Sequence, residues 1–449
     1  MSEQIMEWEK LISDYRFGLE SHSQKQETRT DFQRDYDRLI FSSPFRRLQN
    51  KTQVFPLPGK IFVHNRLTHS LEVSCIGRSL GTQIGRYVCQ KNPNIHADHS
   101  DFGAIVSAAC LAHDMGNPPF GHAGERAISA YFTEGKGTRW EQEVQDEGGR
   151  WQDFSHFEGN ANAIRLLTHG FNGRRKGGFV LTYSTIASIV KYPYSSLYTN
   201  ADNPKFGFFI TEEESYDKIA QHLGILRQSA KDKAPIFARH PLVYLVEAAD
   251  DICYQIMDLE DAYKLKIVSL EQCKELLLAF IPEIEYPNIR NTLMRVTDHN
   301  EQIAFLRSIA IGNLVTCVTK TFIEHEDDIL RGVFKGSLID SITEREKKAY
   351  KSARNFAFEN IYFTKEVLDI EFAGYRIFEY LLDTLIEAQL HPEKSYSKLW
   401  FNRIPEQYDM HRSSMYGKIQ SALDYISGMT DVYALDLYRK FTGMSLPAI

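Results

Sequence analysis

An all-α fold is predicted by three features of this sequence. Apolar residues recur at helical spacing through most of its 449 residues. One segment is apolar on every side. Strand-like alternation is confined to two short stretches, near Val54-Phe55 and Phe206-Phe209. Leu67, Leu71, Ile76, Leu80, Ile84 and Val88 recur close to every 3.6 residues and predict a helix over 67–88. Residues 103–112, GAIVSAACLA, predict a buried helix, stopped by Gly116-Asn117-Pro118-Pro119. Over 242–259, Leu242, Leu245, Val246, Ala249, Cys253, Ile256 and Leu259 share one face of a third helix. Polar, glycine-rich stretches at 134–153, 172–178 and 195–205 read as loops. Beyond about 265 the pattern stays helical, punctuated by Pro282, Pro287 and Pro392, with no metal motif of its own. Residues 1–265 are therefore expected to form one region and 266–449 a helical region packed on it, with the boundary near 265–290.

The composition is that of an ordinary globular protein, 43% hydrophobic and 25% charged. A net charge of −7 gives no global attraction to polyanions, so any phosphate site must be a local basic cluster. Cys75, Cys110, Cys253 and Cys317 lie in apolar, helix-like surroundings and read as reduced core residues; Cys89 and Cys273 complete a set with no CxxC spacing. The N-terminal MSEQIMEWEKLISDYR lacks the apolar stretch of a secretory leader, and no run of about 18 apolar residues is apparent. A cytoplasmic protein without a membrane partner is expected.

The segment CLAHDMG ends an apolar helix in two side chains able to bind metal, His113 and Asp114. Burying an ionised carboxylate without a partner costs several kcal/mol, and a cation or a tight hydrogen-bond network relieves that cost. His69 sits inside a helix whose other face is apolar, and Asp250-Asp251 lie mid-way along a third apolar helix. Two imidazoles and carboxylates suit a divalent ion of intermediate hardness such as Mn²⁺, Fe²⁺, Mg²⁺ or Zn²⁺.

Six segments resemble the HD-domain phosphohydrolases, and among them the deoxyguanosinetriphosphate triphosphohydrolase branch. They are RLQNKTQVFP (47–56), NRLTHSLEVSCIGRSLG (65–81), CLAHDMGNPPFGHAGE (110–125), FEGNANAIRLL (157–167), LVEAADDICYQIMDLEDA (245–262) and DYISGMTDVYALDLYRK (424–440). They run in family order across nearly the whole chain, and the third and fifth are the most specific. The resemblance implies a metal held by His69, His113, Asp114 and Asp250, with Mg²⁺ or Mn²⁺ expected before Zn²⁺, Fe²⁺, Co²⁺ or Ni²⁺. Asp250 is preferred to Asp251 because Tyr254 and Asp258 then fall on the family's sugar-contacting positions, along one slowly rotating helix face.

By the same resemblance His122 and Glu125 are the catalytic pair, with His156 a second active-site histidine. A carboxylate beside an imidazole fixes its tautomer and raises its basicity. Arg66, Lys191 and Lys205 match phosphate-binding positions, and Gln53 and Val54 match contacts to base and sugar. Asn117 stands where many members carry histidine; it can bond a phosphate but cannot donate a proton as an acid. Arg403 and Arg412 are candidates for C-terminal substrate arginines. The basic loop Arg174-Arg175-Lys176 reads as solvated, with an effector or nucleic-acid contact as its alternative.

The implied reaction is attack of water at the α-phosphorus of dGTP, or of other dNTPs, releasing deoxynucleoside and inorganic triphosphate. Packing of Tyr254 against the sugar, where a 2′-OH would project, would exclude ribonucleotides. Relatives assemble as homotetramers or homohexamers, and a dNTP or single-stranded DNA effector belongs to the same expectation. Other HD-type phosphohydrolases share only the bare His-Asp core, and a nucleotide- or DNA-binding sensor of the same fold is the alternative from outside enzymology.

Overall fold

The computed structural model describes residues 4–20, 28–54, 63–200, 203–362 and 365–445. The first expected helix runs over Arg66–Lys91 (α1), starting where Asn65 accepts from Thr68 N and the Thr68 hydroxyl accepts from Asn65 N. The second covers His99–Ala112 (α2) and is buried along almost its whole length. The two lie antiparallel and very close, because α1 turns Gly77, Gly81 and Gly85 toward α2. A Cβ at Gly81 would lie 2.6 Å from the Phe102 carbonyl oxygen, so only glycine allows this approach. The same register, continued toward the start of α1, sets His69 opposite the end of α2 at His113.

Eight further helices matter to the site. They are Gly121–Thr133 (α3), Gly159–Thr168 (α4), Val243–Lys264 (α5), His299–Glu324 (α6), Glu344–Asn360 (α7), Lys365–Leu390 (α8), Met415–Ser427 (α9) and Asp431–Phe441 (α10). Their apolar faces build two cores. One joins α1, α2, α5, α6 and α7, with Leu80, Leu111, Ile252, Leu314 and Ala353 buried in it. The other joins α3, α8, α9 and α10, around Phe132, Phe378, Leu382, Ile419 and Leu437.

The helices expected over 67–88, 103–112 and 242–259 are all present, each longer by a few residues. No strand occurs among the described residues. Phe208 makes only an isolated bridge to Ser195, and Phe55 lies outside the described residues. The stretch 134–153, expected to be a loop, instead holds short helices at Lys136–Trp140 and Glu141–Asp146, and a third begins at Gln152. Trp140 and Val144, one turn apart, anchor it in the second core. Cys75, expected in the core, is exposed, and Cys317 is half-buried. By length and composition α6 is apolar enough to cross a membrane. In this fold Ile303, Leu306, Ala310, Leu314 and Val318 bury one side of it in the first core.

The start of α1 is pinned to α5 through His64. Its Nδ1 lies 2.8 Å from Asp261 Oδ1 and its Nε2 3.2 Å from Glu72 Oε1. Burial opposes the imidazolium, but the two carboxylates outweigh it and raise His64 to about 10. Its folded value exceeds the unfolded one, so the stabilisation is complete below about 6.5 and is lost as pH rises through 10. His64→Gln is expected to cost on the order of 2 kcal/mol at pH 7, with the penalty shrinking toward pH 10. Calorimetric melts of both proteins from pH 6 to 10 check this; a penalty that grows with pH would contradict it.

Candidate active site

At the junction of α1, α2 and α5, His69, His113, Asp114 and Asp250 come together. Asp250 Oδ1 lies 2.9 Å from His69 Nε2 and 3.5 Å from His113 Nε2, and His113 Nε2 is 3.7 Å from Asp114 Oδ2. One ligand atom each from His69, His113 and Asp114 can be enclosed within 4.8 Å. His113 Nδ1 sits 2.6 Å from the Cys110 carbonyl oxygen, which directs Nε2 into the cluster, where it is buried without a hydrogen-bond partner. An orphaned imidazole nitrogen among two carboxylates and a second imidazole fits a divalent cation.

The charges within the cluster balance. Burial resists ionisation of Asp250, but His113 and His69 hold it well below the usual carboxylate range. Burial also resists the Asp114 charge, and Arg66, with Nη1 2.7 Å from Asp114 Oδ2, outweighs it and lowers Asp114. His113 is raised to about 9; burial disfavours its charge, and Asp114 and Asp250 outweigh that. Asp251 points elsewhere. Burial, Glu247 and Asp250 push it up to about 8, and by distance it is Asp250, of the two neighbouring aspartates, that faces the histidines.

Beside the cluster opens a cavity of about 1260 Å³, lying where the two cores meet. Tyr244, Glu247, Asp251, Tyr254 and Gln255 of α5 form one wall, and Thr52, Gln53, Val54, Phe120 and His122 form another. The four clustered residues are not part of this lining, but their chain neighbours are; the Asp250 side chain is 35% exposed between the cavity-lining Glu247 and Asp251.

His122 and Glu125 pair as expected, with Nδ1 2.7 Å from Oε2, and His122 is 65% exposed toward the cavity. Glu125 is buried, which resists its charge. His122, Lys205 and the Gly159 N–H overcome this and lower it to about 2. The helix carrying the pair begins at Phe120, whose φ of 64° is left-handed, a conformation costing about 1–2 kcal/mol for a residue with a side chain. The Phe120 N–H donates to Asp431 Oδ1 at 2.8 Å, and its ring packs edge-on against Phe378.

Several expected substrate contacts are otherwise engaged here. Arg66 and Asn117 both bond Asp114. Lys191 lines the cavity with its Nζ 3.0 Å from Glu247. Lys205 pairs with Glu158 at 2.6 Å and lies 3.7 Å from Glu125, behind the His122–Glu125 pair, and does not line the cavity. His156 also lies outside the cavity lining and sits 3.2 Å from the Ser155 hydroxyl. Gln53 and Val54 line the cavity, and Gln53 Oε1 is buried without a partner. Tyr254 lines it too, whereas Asp258 is screened behind Tyr362, whose hydroxyl donates to Asp258 Oδ2 at 2.7 Å. Burial raises Asp258 to about 8, against that hydrogen bond.

Arg403 and Arg412 do not reach the cavity; Arg403 lies over the Phe441 ring and Arg412 pairs with Asp409. Arg174 of the basic loop donates to Gln407 on the surface. Sequence reasoning missed Tyr362, which stacks on Tyr254 with ring centres 5.7 Å apart, as well as Arg354 and Phe358 of α7 and Glu371 of α8. Glu371 pairs with Arg126 across the cavity mouth. These residues come from the region that carries no metal motif, and only the folded chain brings them to the cavity.

Residues 66–263 match the HD domain and 341–440 the phosphohydrolase-associated domain. The first match spans the whole histidine–aspartate cluster, and the second covers Tyr362 and Glu371. A deoxyguanosinetriphosphate triphosphohydrolase-like protein of Pseudomonas aeruginosa is 36% identical over 99% of this chain and its own full length. One from Synechocystis sp. is 38% identical over 98% of this chain and all of its own. The deoxyguanosinetriphosphate triphosphohydrolase of Yersinia enterocolitica is 31% identical over 96% of this chain and 98% of its own. Similarity that runs end to end, through the helices that build the cluster and those that close the cavity, makes this chain a phosphohydrolase of the HD-domain deoxyguanosinetriphosphate triphosphohydrolase family.

Proposed function

We propose that the protein hydrolyses deoxynucleoside triphosphates, dGTP foremost, at the α-phosphorus, giving deoxynucleoside and inorganic triphosphate. The observation that carries this reading is the spacing along α5. Asp250, in the metal cluster, and Tyr254, in the cavity wall, are one turn apart, roughly 6 Å along the helix. A sugar resting on Tyr254 would lie one helical turn from the cluster, within reach for its 5′ side to face it. The name borne by the Yersinia enterocolitica relative supports dGTP as the first substrate to try.

His69, His113, Asp114 and Asp250 would hold the ion. A divalent ion there supplies Lewis-acid polarisation of a phosphoryl oxygen and a more acidic water. The remaining work falls to side chains. His122, its Nδ1 fixed by Glu125, presents Nε2 for proton transfer to the leaving 5′-oxygen or from the attacking water. Lys191 lies on the wall where the outer phosphates would run; it would exchange Glu247 for phosphate oxygens. The orphaned Gln53 Oε1 would accept from the 3′-OH.

The test is incubation with dGTP, the other dNTPs and GTP in Mn²⁺ or Mg²⁺, with products resolved by anion exchange. Tripolyphosphate plus deoxynucleoside, absent in a His113→Ala, Asp114→Ala double variant, is the expected result. Orthophosphate or pyrophosphate would mean that another bond is cut. Tyr254→Ala should narrow the preference for dGTP over GTP by about 10- to 100-fold, by opening space for the 2′-OH. Competing the two nucleotides in one assay measures this, and an unchanged ratio would remove Tyr254 from sugar selection.

A further inference from the structure

Asp431 opens α10 but does not cap it. The cap is Thr430, whose hydroxyl accepts from Tyr433 N at 3.2 Å. The buried Asp431 carboxylate turns instead toward two distant segments. Oδ2 accepts from Thr52 N and Oδ1 from Phe120 N, both at 2.8 Å. Beside it the buried Lys51 reaches the other way, donating Nζ to Asn117 O at 2.6 Å and to Ser427 O, at the end of α9, at 2.9 Å.

We propose that Asp431 is a positioning residue, a carboxylate of the C-terminal region that sets the segment carrying Gln53 against the segment carrying His122. Three observations carry this. Thr52, Gln53, Phe120 and His122 all line the cavity, so the two amides lie directly behind its walls. Phe120 holds a left-handed backbone at the start of α3, and its N–H is one of the two that Asp431 receives. A carboxylate is the side chain that offers two separate acceptor oxygens and no donor, which two amides from different segments require. Burying such a charge is unfavourable unless it is fully bonded, and a surface-facing cap would have served α10 without that cost.

The kinetic part of the test rests on the proposed triphosphohydrolase activity; the exchange part does not. Asp431→Asn keeps the size but leaves one acceptor and turns an amide NH₂ toward the second N–H. Asp436→Asn, on the same helix and paired with Lys440, is the control for lost helix charge. In the full-length protein, Asp431→Asn is expected to lower kcat for dGTP about tenfold or more and to raise KM severalfold. Asp431→Glu, which keeps two acceptors, should recover part of the loss. Hydrogen exchange should quicken in peptides spanning 52–54 and 120–122, while α9 and α10 stay protected and Asp436→Asn behaves as wild type. Values of kcat and KM within twofold of wild type, or faster exchange confined to α9 and α10, would overturn the proposal. If Asp431→Asn does not fold, a folded Asp431→Glu with kcat and KM within twofold of wild type and unchanged exchange at 52–54 and 120–122 would overturn the proposal equally. A wild-type protein that cleaves no nucleotide would refute the activity, and the exchange result would still decide the role of Asp431.

Discussion

Asp250→Ala is expected to reduce kcat by about 10³-fold or more, beyond the 10- to 100-fold typical of residues that only support a metal ligand. Asp250 is the carboxylate that touches both histidines, so without it neither imidazole retains an anionic neighbour on that side of the cluster. The same variant should lose the thermal stabilisation that the cation gives. For the wild type, Mn²⁺ at about 100 times its Kd should contribute roughly 2.7 kcal/mol. Asp114→Ala is a poorer probe, because it strands the buried Arg66 without its partner, at about 3–5 kcal/mol. Asp251→Asn is the informative neighbour. It removes a carboxylate that does not face the histidines and should cost less than about tenfold in kcat. Melting curves with and without Mn²⁺, beside steady-state rates for all three variants, make the comparison. Equal losses for Asp250→Ala and Asp251→Asn would mean that the ligand has been misassigned.

The second large effect is expected at His122. His122→Ala should lower kcat by about 10²- to 10⁴-fold, the usual contribution of a general acid or base, with KM for dGTP little changed. Glu125→Gln should cost less, about 10- to 100-fold. Glutamine can still meet Nδ1, but it no longer favours one tautomer or stabilises an imidazolium. Glu125 is held near 2, so its charge persists across the working range and falls away only in strong acid. Loss of rate in mildly acidic buffer is therefore expected from groups other than Glu125. Rapid-quench rates on purified variants provide the readout. A raised KM at constant kcat would recast His122 as a substrate-binding residue.

Much of the fold was legible because its deepest helices announce themselves. The apolar stripe of α1 and the unbroken apolar run of α2 leave no other way to be buried. The His113-Asp114 pair was conspicuous for the same reason, as two polar side chains at the end of a helix with no polar face. The stretch 134–153 was misread because single-turn helices spread few apolar residues among many polar ones. Trp140, Val144 and Trp151 hold it through contacts that sequence spacing does not display. Tyr362 and Asp431 were out of reach for a different reason. Their partners lie 104, 311 and 379 residues away, and nothing local marks a tyrosine or an aspartate as facing such a neighbour. Lys205 shows what spacing cannot convey: the sequence marks the cation, while its partners Glu158 and Glu125 are visible only in the folded chain.

The continuity of α5 has a consequence for regiochemistry. Tyr254, the proposed sugar contact, and Asp250 of the cluster belong to one unbroken helix, so the span between them is a fixed yardstick that no loop can lengthen. On the proposed reading, a nucleotide seated by its sugar would present the same phosphorus to the cluster whatever its number of phosphates. A deoxynucleoside diphosphate, if it enters, should therefore lose its phosphates in one piece at the 5′-oxygen. Chain length would govern how firmly the tail is gripped, while the bond to be broken stays the same.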